Sequence, residues 1–196
     1  MTVPLRVPPM GGRRTSCLGL GQSAPPPRST LGRMFPALPI VISAASPTSA
    51  EAQDVSTRYY EDLVGRYHQR PATRGEVRDA EAGYPNGDLV APTGILLLAR
   101  QGLSVLGCAG MRVRPNAIGE VTRVFVESAA RGRGLGRLLM EELECNSLEM
   151  GIRTLRLDTR TDLIEARDLY ASLGFVEGEA HNSDPYANHW FRKELV

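Results

Sequence analysis

Residues 118–143 read IGEVTRVFVESAARGRGLGRLLMEEL. An apolar run carrying one acid, Glu120, leads into Arg131, Gly132, Arg133, Gly134, Leu135, Gly136 and Arg137, and then into an amphipathic stretch without proline. A strand, a glycine-rich turn and a helix start together make an anion site. Free backbone N–H groups and the positive end of the helix dipole converge there, and missing side chains let a phosphate approach. A diphosphate is the natural ligand. A Walker loop is excluded because no Gly-Lys-Ser/Thr follows the first glycine at the required distance. A dinucleotide fingerprint is excluded as well: Gly132 and Gly134 satisfy its first two positions, but Arg137 occupies the third. What remains is Arg131-x-x-Gly134-x-Gly136.

The surrounding pattern predicts the elements that would position this turn. "PIVIS" (39–43) reads as a strand, followed by helices over about 48–67 and 73–82. "GILLLAR" (94–100) and "LSVLGCAGMRVR" (103–114) form a hairpin about Gln101-Gly102, and 118–126 is the next strand. After the turn, Leu135, Leu138, Leu139 and Leu143 fall on one helical face, and the helix stops at Gly151. "TLRLDT" (154–159) alternates as a strand. Asp162 and Glu165 have the spacing of a capping box opening a helix over 163–173, with strands at 175–178 and 189–195 to finish.

At 196 residues, with 42% hydrophobic and 23% charged residues, the composition is that of one globular domain. Residues 1–38 read as a disordered N-terminal extension and 39–196 as the domain, because nine of the fourteen prolines and five glycines precede residue 51. Met34 is an alternative initiator. The net charge of +1 conceals five arginines and no acid in residues 1–50, which leaves 18 basic and 22 acidic residues beyond them. That balance argues against a nucleic-acid partner for the folded part, and no run is long enough to span a membrane. Cys17, Cys108 and Cys145 are widely spaced and odd in number, which fits reduced thiols in a cytoplasmic protein. His181 and His189 lack metal-ligand spacing, so no metal is expected.

The turn, together with "EARDLYASLGF" (165–175), resembles the GNAT superfamily of acetyl-coenzyme A-dependent N-acetyltransferases. The first segment matches the family's Q/R-x-x-G-x-G/A turn. The second matches A-x-x-L-Y-x-x-x-G-F at Ala166, Leu169, Tyr170, Gly174 and Phe175. The resemblance implies a mixed α/β fold: a central, mostly antiparallel sheet of six to seven strands, splayed at the acetyl-CoA site and flanked by about four helices. It implies acetyl-CoA as co-substrate, held by Arg131, Gly132, Arg133, Gly134, Leu135, Gly136 and Arg137 at the pyrophosphate. The main chain of Val124, Phe125 and Val126 would lie along the pantetheine arm. It also implies direct attack by a primary amine of a small molecule or peptide within a ternary complex, with Glu120 as general base and Tyr170 as the acid facing the coenzyme sulfur. As plain structure, Glu120 would be an exposed-face strand residue or one paired with Arg112 or Arg123, and Tyr170 a core tyrosine. Asp162 departs from the asparagine common ahead of the second motif. The acceptor cleft would draw on Tyr59, Tyr60, Tyr67 and His68 and on Asp184, Tyr186 and His189, with Glu61, Asp62 and Asp184 favouring a cation there, or Glu61 and Asp62 lying on a solvated helix face. A homodimer is left open, and the alternative to an enzyme is a GNAT-fold module that binds acyl-CoA without turnover.

Overall fold

The computed structural model describes residues 38–195. Cys17 and nearly all of the expected N-terminal extension lie outside the described residues. The element order is β1 (Ile40–Ala44), α1 (Ala50–His68), α2 (Arg74–Gly83), β2 (Gly94–Gln101), β3 (Ser104–Arg114), β4 (Ile118–Val126), α3 (Leu135–Glu149), β5 (Thr154–Thr159), α4 (Ile164–Ser172), β6 (Val176–Gly178) and β7 (His189–Glu194). Every element expected from the pattern is present within a residue or two, and a 3-10 turn at Ser128–Ala130 is added between β4 and α3.

The seven strands form one sheet in the order β1-β2-β3-β4-β5-β7-β6. All neighbours are antiparallel except β4 and β5, which run parallel. The fold of the described residues is therefore mixed α/β with a mostly antiparallel open sheet and four helices. Both faces of its centre are covered, which explains why β2 reads as a continuous apolar run rather than an alternating one. Leu97 and Ala99 face α3, packing with Leu135, Leu139, Met140 and Leu143. Leu96 and Leu98 face α1, packing with Ala52, Val55, Leu89, Cys108 and Phe125. Met140 takes a buried place on α3 and Leu138 is only half-buried, so the apolar stripe is turned slightly from the one leucine spacing suggests.

Local signals explain most boundaries. Ser49 caps α1 by accepting from the Ala52 N–H at 3.3 Å. Thr73 and Glu76 form a reciprocal capping box at α2. The expected box at α4 is not made, because Asp162 binds Arg160 through two hydrogen bonds of 2.8 and 2.6 Å instead. Leu163 occupies the cap position with no side-chain bond.

Two irregularities in strand pairing shape the centre of the sheet. Between β3 and β4 the register slips: Cys108 pairs with Phe125 and Gly110 with Thr122, so Ala109 stands opposite both Arg123 and Val124. This is a β-bulge, and Arg123 sits in it with a left-handed φ of 57°. The second irregularity is the shortness of the β4–β5 pairing, which consists of Ile118 with Thr154, Gly119 with Leu155 and Glu120 with Arg156. Beyond Glu120 the two strands part, while β5 continues along β7 as far as Thr159. Among the described residues, no helix is long and apolar enough to cross a membrane.

Candidate active site

The parting of β4 from β5 opens a cleft of about 640 Å³ on the α1 and α2 side of the sheet. Glu120, Thr122 and Val124 from β4, Asp158 from β5 and Tyr170 from α4 line it. Tyr59, Tyr60, Tyr67 and His68 from α1 share this lining with Asp184 and Tyr186 of the β6–β7 loop, so most of the residues expected at an acceptor cleft are brought together. His189 is not part of the lining. Its ring bonds Glu177 at 2.6 Å and Thr161 at 3.2 Å. Asp62 is also drawn elsewhere, to Arg131 at 3.0 Å and Arg66 at 3.3 Å.

Arg123 is the chief organiser of the cleft wall. The bulge aims its side chain at α1, where the guanidinium lies 4.8 Å from the Tyr60 ring centre and 5.4 Å from that of Tyr59. It also donates to Asn86 Oδ1 at 2.9 Å and to the Tyr84 carbonyl. This arginine is buried and fully engaged, so it is structural rather than a free cation for a ligand. The strand pattern offers no sign of this, because a bulge is a property of register between two strands.

Glu120 reaches the cleft but is held on both oxygens. Arg114 and Arg156 each donate to it at 2.7 Å. Arg112 stands opposite it in the β3–β4 register, yet its guanidinium turns to Asp88 at 2.7 Å. The expected partners, Arg112 and Arg123, are thus both replaced. Burial alone would raise the Glu120 carboxyl, but the two guanidiniums outweigh it and hold the group below the usual carboxylate range. Such a carboxylate is a weak proton acceptor.

Tyr170 is buried, with its ring 5.9 Å from Phe175 and 6.0 Å from Phe191. Its hydroxyl has no hydrogen-bond partner among the described residues. Burial, with Tyr59 and Asp158 adding to it, pushes its pKa up, so the phenol stays protonated throughout the neutral range.

The glycine turn lies past the end of β4. Gly132 and Gly134 have φ of 73° and 78°, and a Cβ on either would meet nothing within 4 Å. Gly134 is the N-cap of α3 and no side chain caps that terminus. The N–H groups of Leu135, Gly136 and Arg137 therefore begin the helix beside open space, while the Leu135 side chain is buried in the core. Gly136 has a packing reason of its own, since a Cβ there would lie 3.0 Å from Leu169 Cδ2. Arg131 donates to the Val126 carbonyl at 2.9 Å, Arg133 reaches Gln101 at 3.5 Å, and Arg137 bonds Ser172 Oγ at 2.9 Å. Phe125 points away into the core against α1. Together, the β5-facing edge of β4, left without a strand beyond Glu120, and the uncapped helix suit a long ligand with an anionic diphosphate.

A family model described as the GNAT acetyltransferase family matches residues 53–175, more than half of the chain. The chain belongs to the GNAT family. It is an acyltransferase by that membership. An uncharacterised N-acetyltransferase of Schizosaccharomyces pombe is 34% identical over 113 residues, covering 56% of this chain and 69% of that protein. A GNAT-family acetyltransferase of Staphylococcus aureus superposes with a TM-score of 0.66 at 16% identity, covering 81% of this chain and all of that one. The PaiA N-acetyltransferase of Thermoplasma acidophilum, solved in complex with coenzyme A, superposes with a TM-score of 0.62 at 16% identity, over 80% of this chain and 99% of that one.

Gly134→Ala tests whether the turn serves a ligand. The Cβ would clash with no protein atom, so the stability loss should be limited to the strain of a left-handed alanine, about 1 kcal/mol. Acetyl-CoA affinity should fall by about tenfold or more in a calorimetric titration. Unchanged affinity in the folded variant would remove the turn from the binding site.

Proposed function

We propose that this GNAT acyltransferase moves the acetyl group of acetyl-CoA to a primary amine of a small molecule or peptide, by direct attack in a ternary complex. The observation that carries the reading is the seam beyond Glu120, where β4 leaves β5 and its edge is left without a strand partner between the uncapped start of α3 and the Tyr170 hydroxyl. Acetyl-CoA supplies the activated thioester. The N–H groups at Gly134–Arg137 receive its diphosphate, and the main chain of Val124–Val126 receives the pantetheine arm.

The chain's remaining task is proton management. An alkylamine with a pKa of about 10.4 is neutral in only about one molecule in a few thousand at pH 7, a deficit of about 4.6 kcal/mol. A cleft carboxylate that takes one proton from the ammonium removes that deficit locally. The amine lone pair then forms the C–N bond at the thioester carbonyl, and the C–S bond breaks as the tetrahedral centre collapses. Tyr170 donates its hydroxyl proton to the departing sulfur and regains one from the acylated nitrogen, so that one proton is released overall. Glu120 is the carboxylate that the family pattern points to for the first step.

Release of free thiol from acetyl-CoA over a panel of primary amines tests the proposal, alongside calorimetric binding of acetyl-CoA. Turnover with at least one amine is expected. Tight binding with no thiol release from any of them would favour a sensor module instead.

A further inference from the structure

We infer that Asp158, rather than Glu120, is the group that accepts the proton from the substrate ammonium. This rests on the N-acetyltransferase reading and turns on which carboxylate in the cleft has an oxygen to spare. Glu76 is held by Arg70 and Thr73, and Glu120 by Arg114 and Arg156. Asp184 accepts from the Tyr84 hydroxyl at 2.8 Å on one oxygen and from the Tyr186 N–H at 2.9 Å on the other. Asp79 is exposed on α2 at the rim. Asp158 is half-buried and, among the described residues, accepts only the Asn182 amide, at 2.7 Å on Oδ1. Its Oδ2 has no protein donor among the described residues, and no arginine or lysine pairs with it there.

The position follows from the fold. Asp158 is two residues beyond Arg156 on β5, so it shares a face with the last rung of the β4–β5 pairing and lies where the strands have parted. Asn182 holds it in place: that side chain donates to Asp158 while its own oxygen accepts from Trp190 Nε1 at 2.9 Å and from the Asp184 N–H at 3.3 Å. The groups facing Asp158 are Asn182, Asp184 and His181 from the β6–β7 loop, Glu120 from β4, Tyr59 from α1, Tyr84 from the segment after α2 and Tyr170 from α4. Burial raises the Asp158 carboxyl above its ordinary range, and the charges of Asp184 and Glu120 add to this against the Asn182 bond and His181. A raised carboxyl is a stronger proton acceptor than one clamped by two guanidiniums.

The step balances simply. The ammonium N–H bond breaks, its electron pair stays on nitrogen, and the proton moves to Asp158 Oδ2. After product leaves, that proton passes to solvent.

Asp158→Asn keeps the shape and an oxygen for Asn182 but not the basicity. With an amine that supports turnover, kcat/KM should fall about 100-fold near pH 7, and the gap from wild type should narrow as pH rises and free amine becomes abundant. Acetyl-CoA affinity should be unchanged. The sign on stability is opposite to that of a structural acid. Because the folded-state pKa is raised, ionisation at neutral pH opposes folding, so Asp158→Asn should melt no lower than wild type. Asp158→Glu, which keeps a carboxylate, should retain more activity than the asparagine variant. Glu120→Gln should show the reverse pattern, with a lower melting temperature from the broken clamp and a smaller loss of kcat/KM than Asp158→Asn. If Asp158→Asn turns over like wild type, or if Glu120→Gln loses as much or more, the inference is overturned while the acetyltransferase reading stands. A wild-type protein that releases no thiol with any amine would end both.

Discussion

Tyr170→Phe is expected to lower kcat by about tenfold or more, roughly 1.4 kcal/mol of transition-state stabilisation, with the melting temperature unchanged. Ring and hydroxyl have separate parts here. The ring is what packs, against Phe175 and Phe191, and phenylalanine preserves it. The hydroxyl has no protein partner among the described residues, so deleting it breaks no structural hydrogen bond. A hydroxyl that opens to a ligand cleft from an otherwise buried ring, with no structural partner, is explained if a ligand atom supplies one. Thiol release and thermal melting on the same preparation check both effects. Unimpaired turnover would remove Tyr170 from the mechanism, and a marked drop in melting temperature would make it a core residue.

Gly107→Ala should damage stability and coenzyme binding together. Gly107 on β3 pairs with Val126, and a Cβ there would press into the Phe125 carbonyl oxygen and lie 3.2 Å from Val126 Cα and 3.4 Å from Leu139 Cδ1. Two of these neighbours are backbone, which cannot rotate aside as a side chain can. The end of β4 must shift, at a stability cost of about 1–3 kcal/mol. That end is the segment proposed to lie along the pantetheine arm, so acetyl-CoA affinity should fall as well. Thermal melting and calorimetric titration measure the two effects. A wild-type melting temperature would show that β4 is not packed this closely on β3.

The sheet and helices are legible in the sequence because their signals are local: alternation in β5, leucine spacing in α3, and glycines at Gly132 and Gly134 where the backbone turns left-handed. Features set by long-range register are not. Glu120 is visible as an acid in an apolar strand, but its partner Arg156 comes from a strand 36 residues away, brought alongside by parallel pairing. Arg123 reads as one more strand residue until the bulge turns it toward α1. Asp158 likewise reads as the polar position of an alternating strand, and only the departure of β4 exposes it to the cleft. The capping box at Asp162 fails for a more local reason: Arg160, two residues earlier, competes for that carboxylate with a two-pronged ion pair that outweighs a backbone N–H.

The three-rung seam also bears on how the chain assembles. Strands β2, β3 and β4 are joined by short turns and can zip together as soon as they are made. β5 can reach β4 only after the 15-residue α3 has crossed over the sheet, and parallel pairing across such a connection is slow. The seam is therefore expected to close late in folding. Since the cleft is bounded by both sides of that seam, a partly folded chain would have the glycine turn and the strands but not the cleft proposed to bring donor and acceptor together, and catalytic competence would arrive late in assembly.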